Sequence, residues 1–183
     1  MDRKEKMVLL TDDNISKELK LGFEWFRAEQ KIVHDINLFA IVVNRNGKIR
    51  SDEDVVFYNN WSDPLHIVYF SDDHELLDDS EDDAIYIDLR NVTTDTKKIV
   101  VFATLYAAVE REQNFSQLAA FYMYNNFEMR KDQPFEFNDL PPTSLMLLCE
   151  IKRIQDGWGF IPTGIGYQGD LVRLLKDYGL DLE

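Results

Sequence analysis

ELKLGFEW, residues 18–25, alternates apolar side chains with charged or small ones at every position. A period of two places successive side chains on opposite faces, which is typical of a strand with one buried face. The next apolar stretch, HDINLFAIVV at residues 34–43, begins with the same alternation and ends as a continuous apolar run. It predicts a strand that becomes buried on both faces.

Further strands are predicted where short apolar or alternating runs lie between turn residues. A hairpin-type turn is predicted at NRNG, residues 44–47. The remaining predicted strands are Val55–Tyr58, His66–Phe70, Ala84–Leu89, Lys98–Ala108, Leu118–Glu128, Ser144–Ile154 and Trp158–Thr163. The rings that we expect in or at the edge of the core are those of Trp25, Phe57 and Trp158. The pattern indicates a mainly β fold, a two-sheet β-sandwich.

One clear helix is predicted near the C-terminus, over Gln168–Tyr178. Its apolar residues recur at i, i+3, i+4 and i+7, and they are Leu171, Leu174, Leu175 and Tyr178. Asp170 lies in its first turn and Gly179 supplies its end. A short helical turn is predicted around Val109–Gln113. No linker rich in proline, serine or glycine divides the chain, so residues 1–183 are predicted to form a single domain.

The charge is strongly acidic, with 34 acidic against 20 basic side chains and a net charge of −14. Such a surface repels phosphate backbones, so we expect no direct nucleic-acid binding. The apolar run near the N-terminus is too short for a signal peptide, and no stretch reaches the roughly 20 apolar residues of a membrane span. We therefore expect a cytoplasmic protein.

Cys149 is the only cysteine, so an internal disulfide is excluded. The residues of its strand that we predict to share one face are Leu145, Leu147, Cys149 and Ile151. Core packing is accordingly the expected role of the thiol.

An acidic segment, SDDHELLDDSEDD at residues 71–83, carries eight carboxylates between two predicted strands. Crowded like charges have to be either solvated or neutralised. A bound calcium ion, which takes six to eight oxygen ligands, would neutralise them. A solvated acidic loop is the alternative interpretation.

Two further oxygen-rich places precede this segment. Asp35 and Asn37 are two residues apart and face one side of a strand, and residues 51–60 include Asp52, Asp54, Asn59 and Asn60.

Several motifs, in order, resemble those of the TerD family. SDEDVVFYNN, residues 51–60, resembles its S-D-x-D-F-[IV]-F-Y-N-N, and AIYIDL at 84–89 follows an acidic loop as in that family. Residues 97–117 resemble a family strand and the Q-N-F loop after it. DGWGF at 156–160 and GIGYQGDLVRLLKDYGLDL at 164–182 resemble the family's ending. The resemblance covers residues 8–182, which sets the expected core of the domain.

The resemblance implies a β-sandwich that binds calcium through acidic loops and takes part in tellurite resistance and general stress response. The calcium ligands that it implies are Asp35, Asn37, Asn59, Asp72, Glu81 and Asp82, with Asp73 and Asp83 as neighbours. The sequence departs from the family pattern at several places, which include Phe39 in place of a serine. Asn37 replaces an aspartate, and Ser71 and Leu76 replace two loop glycines, which implies a reshaped loop with a weaker or lost calcium site.

No enzyme motif is found: there is no H-E-x-x-H, C-x-x-C, G-x-S-x-G or phosphate-binding loop. The histidines, His34, His66 and His74, are scattered, which does not favour zinc. We therefore predict a non-enzymatic protein that binds calcium and contacts other proteins, as part of a stress-response complex. One alternative is a metal-free acidic protein-interaction domain that has lost the calcium sites of the family. A third interpretation is a metal-dependent hydrolase, because paired carboxylates can support hydrolysis.

Overall fold

The computed structural model describes residues 7–28, 35–70 and 84–181. The acidic segment lies outside these residues, and with it the predicted ligands Asp72, Asp73, Glu81, Asp82 and Asp83. His34 and His74 also lie outside them. Among the described residues, no helix is long and apolar enough to cross a membrane.

The predicted mainly β fold is confirmed. In chain order, the strands are β1 Val8–Leu10, β2 Leu19–Arg27, β3 Ile36–Asn44, β4 Val55–Val56, β5 Val68–Phe70, β6 Ala84–Ile87, β7 Thr96–Leu105, β8 Leu118–Asn125, β9 Phe135–Glu136, β10 Leu145–Ile154 and β11 Gly157–Gly166. The helices are α1 Asp12–Ile15 and α2 Leu171–Asp177, and short 3-10 turns lie at Asp52–Asp54, Leu89–Asn91 and Phe115–Gln117.

Two antiparallel sheets make up the sandwich. One has the strand order β1-β11-β10-β7-β3-β4, and the other has the order β5-β6-β2-β8-β9. The alternation in β2 buries one face of the strand as predicted: Leu19, Leu21 and Phe23 lie between the sheets. Trp158 is also buried there, and Trp25 packs against the same core, so both were placed correctly by the sequence.

A second apolar layer covers the outer face of the six-stranded sheet. Leu38, Ala40 and Val42 of β3 face the core between the sheets. The side chains between them, which include Phe39 and Ile41, face outward and are buried beneath Leu174 and Leu175 of α2. The prediction that this strand is buried on both faces is therefore confirmed, and α2 is the element that covers its outer face.

The predicted face of β10 is wrong. A β-bulge between Leu147 and Cys149 reverses the alternation, because it adds one residue to the strand. Leu145 and Leu147 consequently face outward towards α2, whereas Cys149 and Ile151 face the core between the sheets. Cys149 is fully buried, in agreement with its predicted packing role, and burial raises the pKa of its thiol.

Some elements differ from their predicted bounds. Helix α2 is shorter than predicted because Asp170 is its N-cap, accepting a hydrogen bond from the backbone N–H of Arg173 at 2.8 Å. The turn predicted around Val109–Gln113 is present as hydrogen-bonded turns rather than a helix. The elements that the sequence analysis did not predict are α1, β1 and β9.

Candidate functional site

An open cleft of 560 Å³ lies at the end of the sandwich where β2 ends and β3 begins. Its lining comprises Trp25, Arg27, Asp35, Ile36, Asn37, Tyr58 and Tyr106. The sequence analysis selected Asp35 and Asn37 as ligands, and both line this cleft. It did not anticipate the two tyrosines, which each keep about three-fifths of their surface exposed.

Asp35 immediately precedes β3, and two contacts fix its position. Its carbonyl oxygen accepts a hydrogen bond from the backbone N–H of Tyr106 at 2.9 Å. Its carboxylate Oδ2 accepts a hydrogen bond from Nη1 of Arg111 at 2.5 Å. The Arg111 guanidinium also lies over the Tyr106 ring, 5.4 Å from its centroid. Arg111 was not recognised in the sequence, because nothing there signals a pairing across 76 residues.

Asn37 lies in β3 opposite Thr104 of β7, and its side chain is half-buried at the cleft. Because Asp35 and Asn37 are two residues apart on extended backbone, they present a carboxylate and an amide on one side, as predicted. These oxygen donors are of the kind that calcium takes. They therefore fit a calcium ion chemically, but two side chains are fewer than the six ligands that it needs.

The acidic segment is attached close to this cleft. Phe70, which precedes the segment, pairs with Ile85, and Ala84, which follows it, lies opposite Gly22 of β2. Strand β2 continues from Gly22 to Trp25 in the cleft. The attachment point at Ala84 thus lies on the strand next to β2, and the attachment point at Phe70 lies one strand further from β2, on β5.

The motif at residues 51–60 forms a turn whose polar side chains are mostly used to build it. Asp54 is 1% exposed and forms a bidentate ion pair with Arg50, with both N–O distances at 2.7 Å. The side-chain amide of Asn60 donates to the carbonyl oxygens of Val55 and Glu53, at 2.8 and 3.0 Å. The Asp54 carboxylate is thus held by Arg50, and the amide nitrogen of Asn60 closes the turn.

Asn59, another predicted ligand, is exposed in the same turn. The neighbouring Tyr58 lines the cleft, whereas Asn59 is not part of its lining. Phe57 is half-buried against the layer beneath α2, as predicted for the edge of the core.

Two other buried aspartates also have local structural partners. Asp63 accepts backbone N–H bonds from Ile67, Val68 and Leu65 at 2.6, 2.7 and 3.0 Å. Arg90 hydrogen-bonds the Asp88 carboxylate through its side chain, which lowers the pKa of Asp88. Within residues 7–28, 35–70 and 84–181, no group of three or more histidine, cysteine, aspartate or glutamate side chains could hold a metal ion.

Ser62 and His66 form a hydroxyl–imidazole contact, a kind of pair that occurs in nucleophilic catalysis. Ser62 Oγ lies 2.9 Å from Nδ1 of His66. Ser62 Oγ also lies 3.0 Å from the carbonyl oxygen of Asp63, to which the hydroxyl donates.

The comparison with protein families identifies the chain over most of its length, since the TerD domain matches residues 1–178. The chain belongs to the TerD family. Among proteins similar to this TerD-family chain is the tellurium resistance protein TerD of Alcaligenes sp., 28% identical over 170 residues, which cover 90% of this chain and 88% of that one.

Other relatives of this TerD-family chain carry stress-related names. General stress protein 16U of Bacillus subtilis (strain 168) is 26% identical over 94% of this chain and 92% of its own. Chemical-damaging agent resistance protein B of Clostridium acetobutylicum is 30% identical over 73% of this chain and 99% of its own. The fold is shared with the crystal structure of a telluride resistance protein (TerD) homologue from Streptomyces coelicolor A3(2). That structure has a TM-score of 0.65 and 12% identity, over 90% of this chain and 99% of the other.

Proposed function

We propose that this TerD-family chain is a calcium-binding protein of the stress response that confers resistance to tellurite or other chemical damage. In this proposal it acts in the cytoplasm through metal binding and contacts with other proteins, without catalysis and without binding nucleic acid. The observation that carries the calcium part is the joint position of Asp35 and Asn37 in one cleft. The strand β2, which contributes Trp25 and Arg27 to this cleft, pairs with β6, at whose start the acidic segment ends.

The proposed ligands come from two parts of the chain. Asp35 and Asn37 would supply oxygens from the sandwich, and the acidic segment would supply the others. These others are the carboxylates of Asp72, Asp73, Glu81, Asp82 and Asp83, with Asn59 as a candidate from the adjacent turn. A bound calcium ion would offset two of these negative charges and connect residues 71–83 to the start of β3.

The stress-response part is supported by the names of the relatives, which are called resistance or general stress proteins. The non-catalytic part is supported by the described nucleophiles. Cys149 is fully buried, so its thiol is not accessible to a substrate. The exposed rings of Tyr58 and Tyr106 favour protein contacts, because tyrosine is enriched in protein interfaces.

The metal part is tested by thermal unfolding of the full chain in millimolar calcium and in chelator. At a hundredfold excess over Kd, binding to the folded state contributes about 2.7 kcal/mol, which raises the midpoint by about 5–10 °C. Asp35→Asn and Asp82→Asn should each reduce this rise. Asp156→Asn is the matched control, because Asp156 is exposed between β10 and β11, at the opposite end of the sandwich.

An unchanged midpoint in the parent chain would reject calcium binding and leave the metal-free acidic interaction domain as the better account. An equal reduction by Asp156→Asn would attribute the effect to net charge rather than to the cleft. The cellular role is tested separately, by complementing a strain that lacks the protein and measuring its survival in tellurite. The parent and Asp156→Asn should restore survival, and Asp35→Asn should not.

A further inference from the structure

Another open pocket, with a volume of 310 Å³, lies beside the turn that follows β7. Its described walls come from three separate segments, which lie within residues 108–114, 142–144 and 167–169. They include residues of the Q-N-F loop and of the GIGYQGD segment, two motifs that the calcium proposal does not use. The pocket shares no described lining residue with the cleft at Asp35. Its volume is at the lower end of the range of small-molecule sites, which is about 300–1,000 Å³.

Backbone hydrogen bonds join the three walls of this pocket to one another. The N–H of Phe115 donates to the carbonyl oxygen of Thr143 at 3.0 Å, which ties the first segment to the second. The N–H of Tyr167 donates to the carbonyl oxygen of Leu145 at 2.9 Å, which ties the third segment to the start of β10. The pocket is therefore formed before a ligand arrives, and a preformed site lowers the cost of binding.

The wall after β7 has an unusual backbone conformation. Ala107 and Glu112 adopt φ values of +50° and +52°, in the left-handed region that residues other than glycine rarely adopt. The N–H of Gln113 donates to the carbonyl oxygen of Ala108 at 2.8 Å and closes this turn. Backbone held in such conformations clusters at ligand-binding sites. The turn is thus an indication of a binding role that is independent of the pocket's volume.

Four polar groups of residues that line the pocket are not used to build the fold. They are the carboxylate of Glu112, the side-chain nitrogen of Asn114, the hydroxyl of Ser144 and the side-chain amide of Gln168. None of these groups has a hydrogen-bond partner among the described residues. The other end of the Asn114 side chain is fixed, because its Oδ1 accepts from the backbone N–H and the hydroxyl of Ser116 at 3.1 and 2.6 Å. Polar groups from all sides of the pocket are therefore available to a ligand.

The composition of the lining indicates which class of ligand it suits. Glu112 is the only charged residue among the described residues of the lining, so no cationic side chain there would pair with a phosphate or a carboxylate. Hydroxyl and amide groups both donate and accept hydrogen bonds, as the hydroxyl groups of a sugar do. Pro142 and the ring of Tyr167 add apolar surface for the C–H groups of such a ligand.

We propose that this pocket binds a neutral monosaccharide or disaccharide. The sugar hydroxyls exchange hydrogen bonds with the free groups of Glu112, Asn114, Ser144 and Gln168. This binding function goes beyond the proposed calcium function and does not depend on it, since the two sites have no described lining residue in common.

The test is a titration of the full-length protein, followed through its backbone amide signals by nuclear magnetic resonance. The probes are D-glucose, D-galactose, D-mannose and maltose. At least one of them should bind with a Kd of about 1–10 mM, the affinity expected for a ligand of this size. The signals that should shift are those of residues 112–114, 143–144 and 167–169, whereas those of the β10–β11 turn should not.

Two variants test the assigned contacts. Ser144→Ala and Gln168→Ala each remove a group that has no partner among the described residues, so both should fold normally, which thermal melts establish. Each should weaken sugar binding about threefold to tenfold, which is the usual effect of losing one hydrogen bond. Gln155→Ala is the matched control, because Gln155 is exposed in the turn between β10 and β11, and it should change the Kd by less than about 1.5-fold.

No shift at these residues with any of the four sugars would overturn the proposal. Equal effects of Ser144→Ala, Gln168→Ala and Gln155→Ala on the Kd would overturn it as well. Shifts caused at the same residues by calcium and not by the sugars, and abolished by Glu112→Gln, would make the pocket a cation site instead. The calcium proposal is measured separately, through the effect of Asp35→Asn on the thermal midpoint, so each proposal can fail without the other.

Discussion

Leu174→Ala tests whether α2 is an integral layer of the fold. Leu174 is 1% exposed and packs with Phe39, Phe102 and Leu145 on the outer face of the six-stranded sheet. The rings of Phe39 and Phe102 are stacked with their centroids 5.0 Å apart, and Tyr178 lies edge-on to Phe102 at 6.3 Å. A leucine truncated in such surroundings leaves a cavity, and the typical cost is about 2–5 kcal/mol.

We expect a loss of about 3 kcal/mol in the free energy of unfolding, measured by urea denaturation in chelator. Helix α2 lies at the surface and closes part of the cavity by moving inward, which keeps the loss below the upper end of that range. Val172→Ala is the matched control in the same helix, because Val172 is 49% exposed. Its effect should be within about 0.5 kcal/mol. A Leu174→Ala loss no larger than that of the control would refute the packing of α2 on this sheet.

Two further predictions concern the five-stranded sheet and its acid stability. Gly22→Ala should cost about 1–3 kcal/mol, because the new Cβ would lie 2.2–2.5 Å from the ring and hydroxyl atoms of Tyr124. Urea denaturation should show that most of this cost disappears in a Tyr124→Ala background. Equal costs in both backgrounds would contradict the contact. The hydrogen bond from Arg90 lowers the pKa of Asp88 in the folded state. The pair therefore stabilises the fold fully above the pKa of the unfolded aspartate, which is about 3.9. This contribution is lost as the pH falls through the lower pKa of the folded state. The stability difference between parent and Asp88→Asn should therefore shrink from pH 5 to pH 2 in urea denaturation, and a difference independent of pH would count against this assignment.

The long elements were predictable because one residue pattern determines each of them. Strict alternation identified β2, and the apolar run of β3 indicated burial on both faces before any covering helix was assigned to it. The β10 bulge was not predictable, because Leu147, Leu148 and Cys149 are all apolar and fit either face. Strand β1 was not predictable either, because this short segment becomes a strand only by pairing with β11, where Val8 lies opposite Phe160.

The candidate site was predictable only in part. Asp35 and Asn37 stood out because two oxygen-bearing side chains are spaced for one face of a strand. Composition could not distinguish them from Asp54, whose carboxylate is held by Arg50. The contacts of Arg111 and Tyr106 with Asp35 were not predicted from the sequence. They depend on the antiparallel pairing of β3 with β7, which joins distant parts of the chain.

The cover that α2 provides has a consequence for synthesis on the ribosome. Strands β3 and β7 leave the ribosome long before Leu174 and Leu175, so the outer side chains of their sheet have no cover while the rest of the chain is being made. Strand β1 likewise waits for β11, because its partner residues are Trp158–Phe160. The nascent six-stranded sheet thus presents both an apolar face and an unpaired edge, and these are the surfaces on which newly made chains aggregate. Synthesis and docking of α2 end that period of exposure for the apolar face.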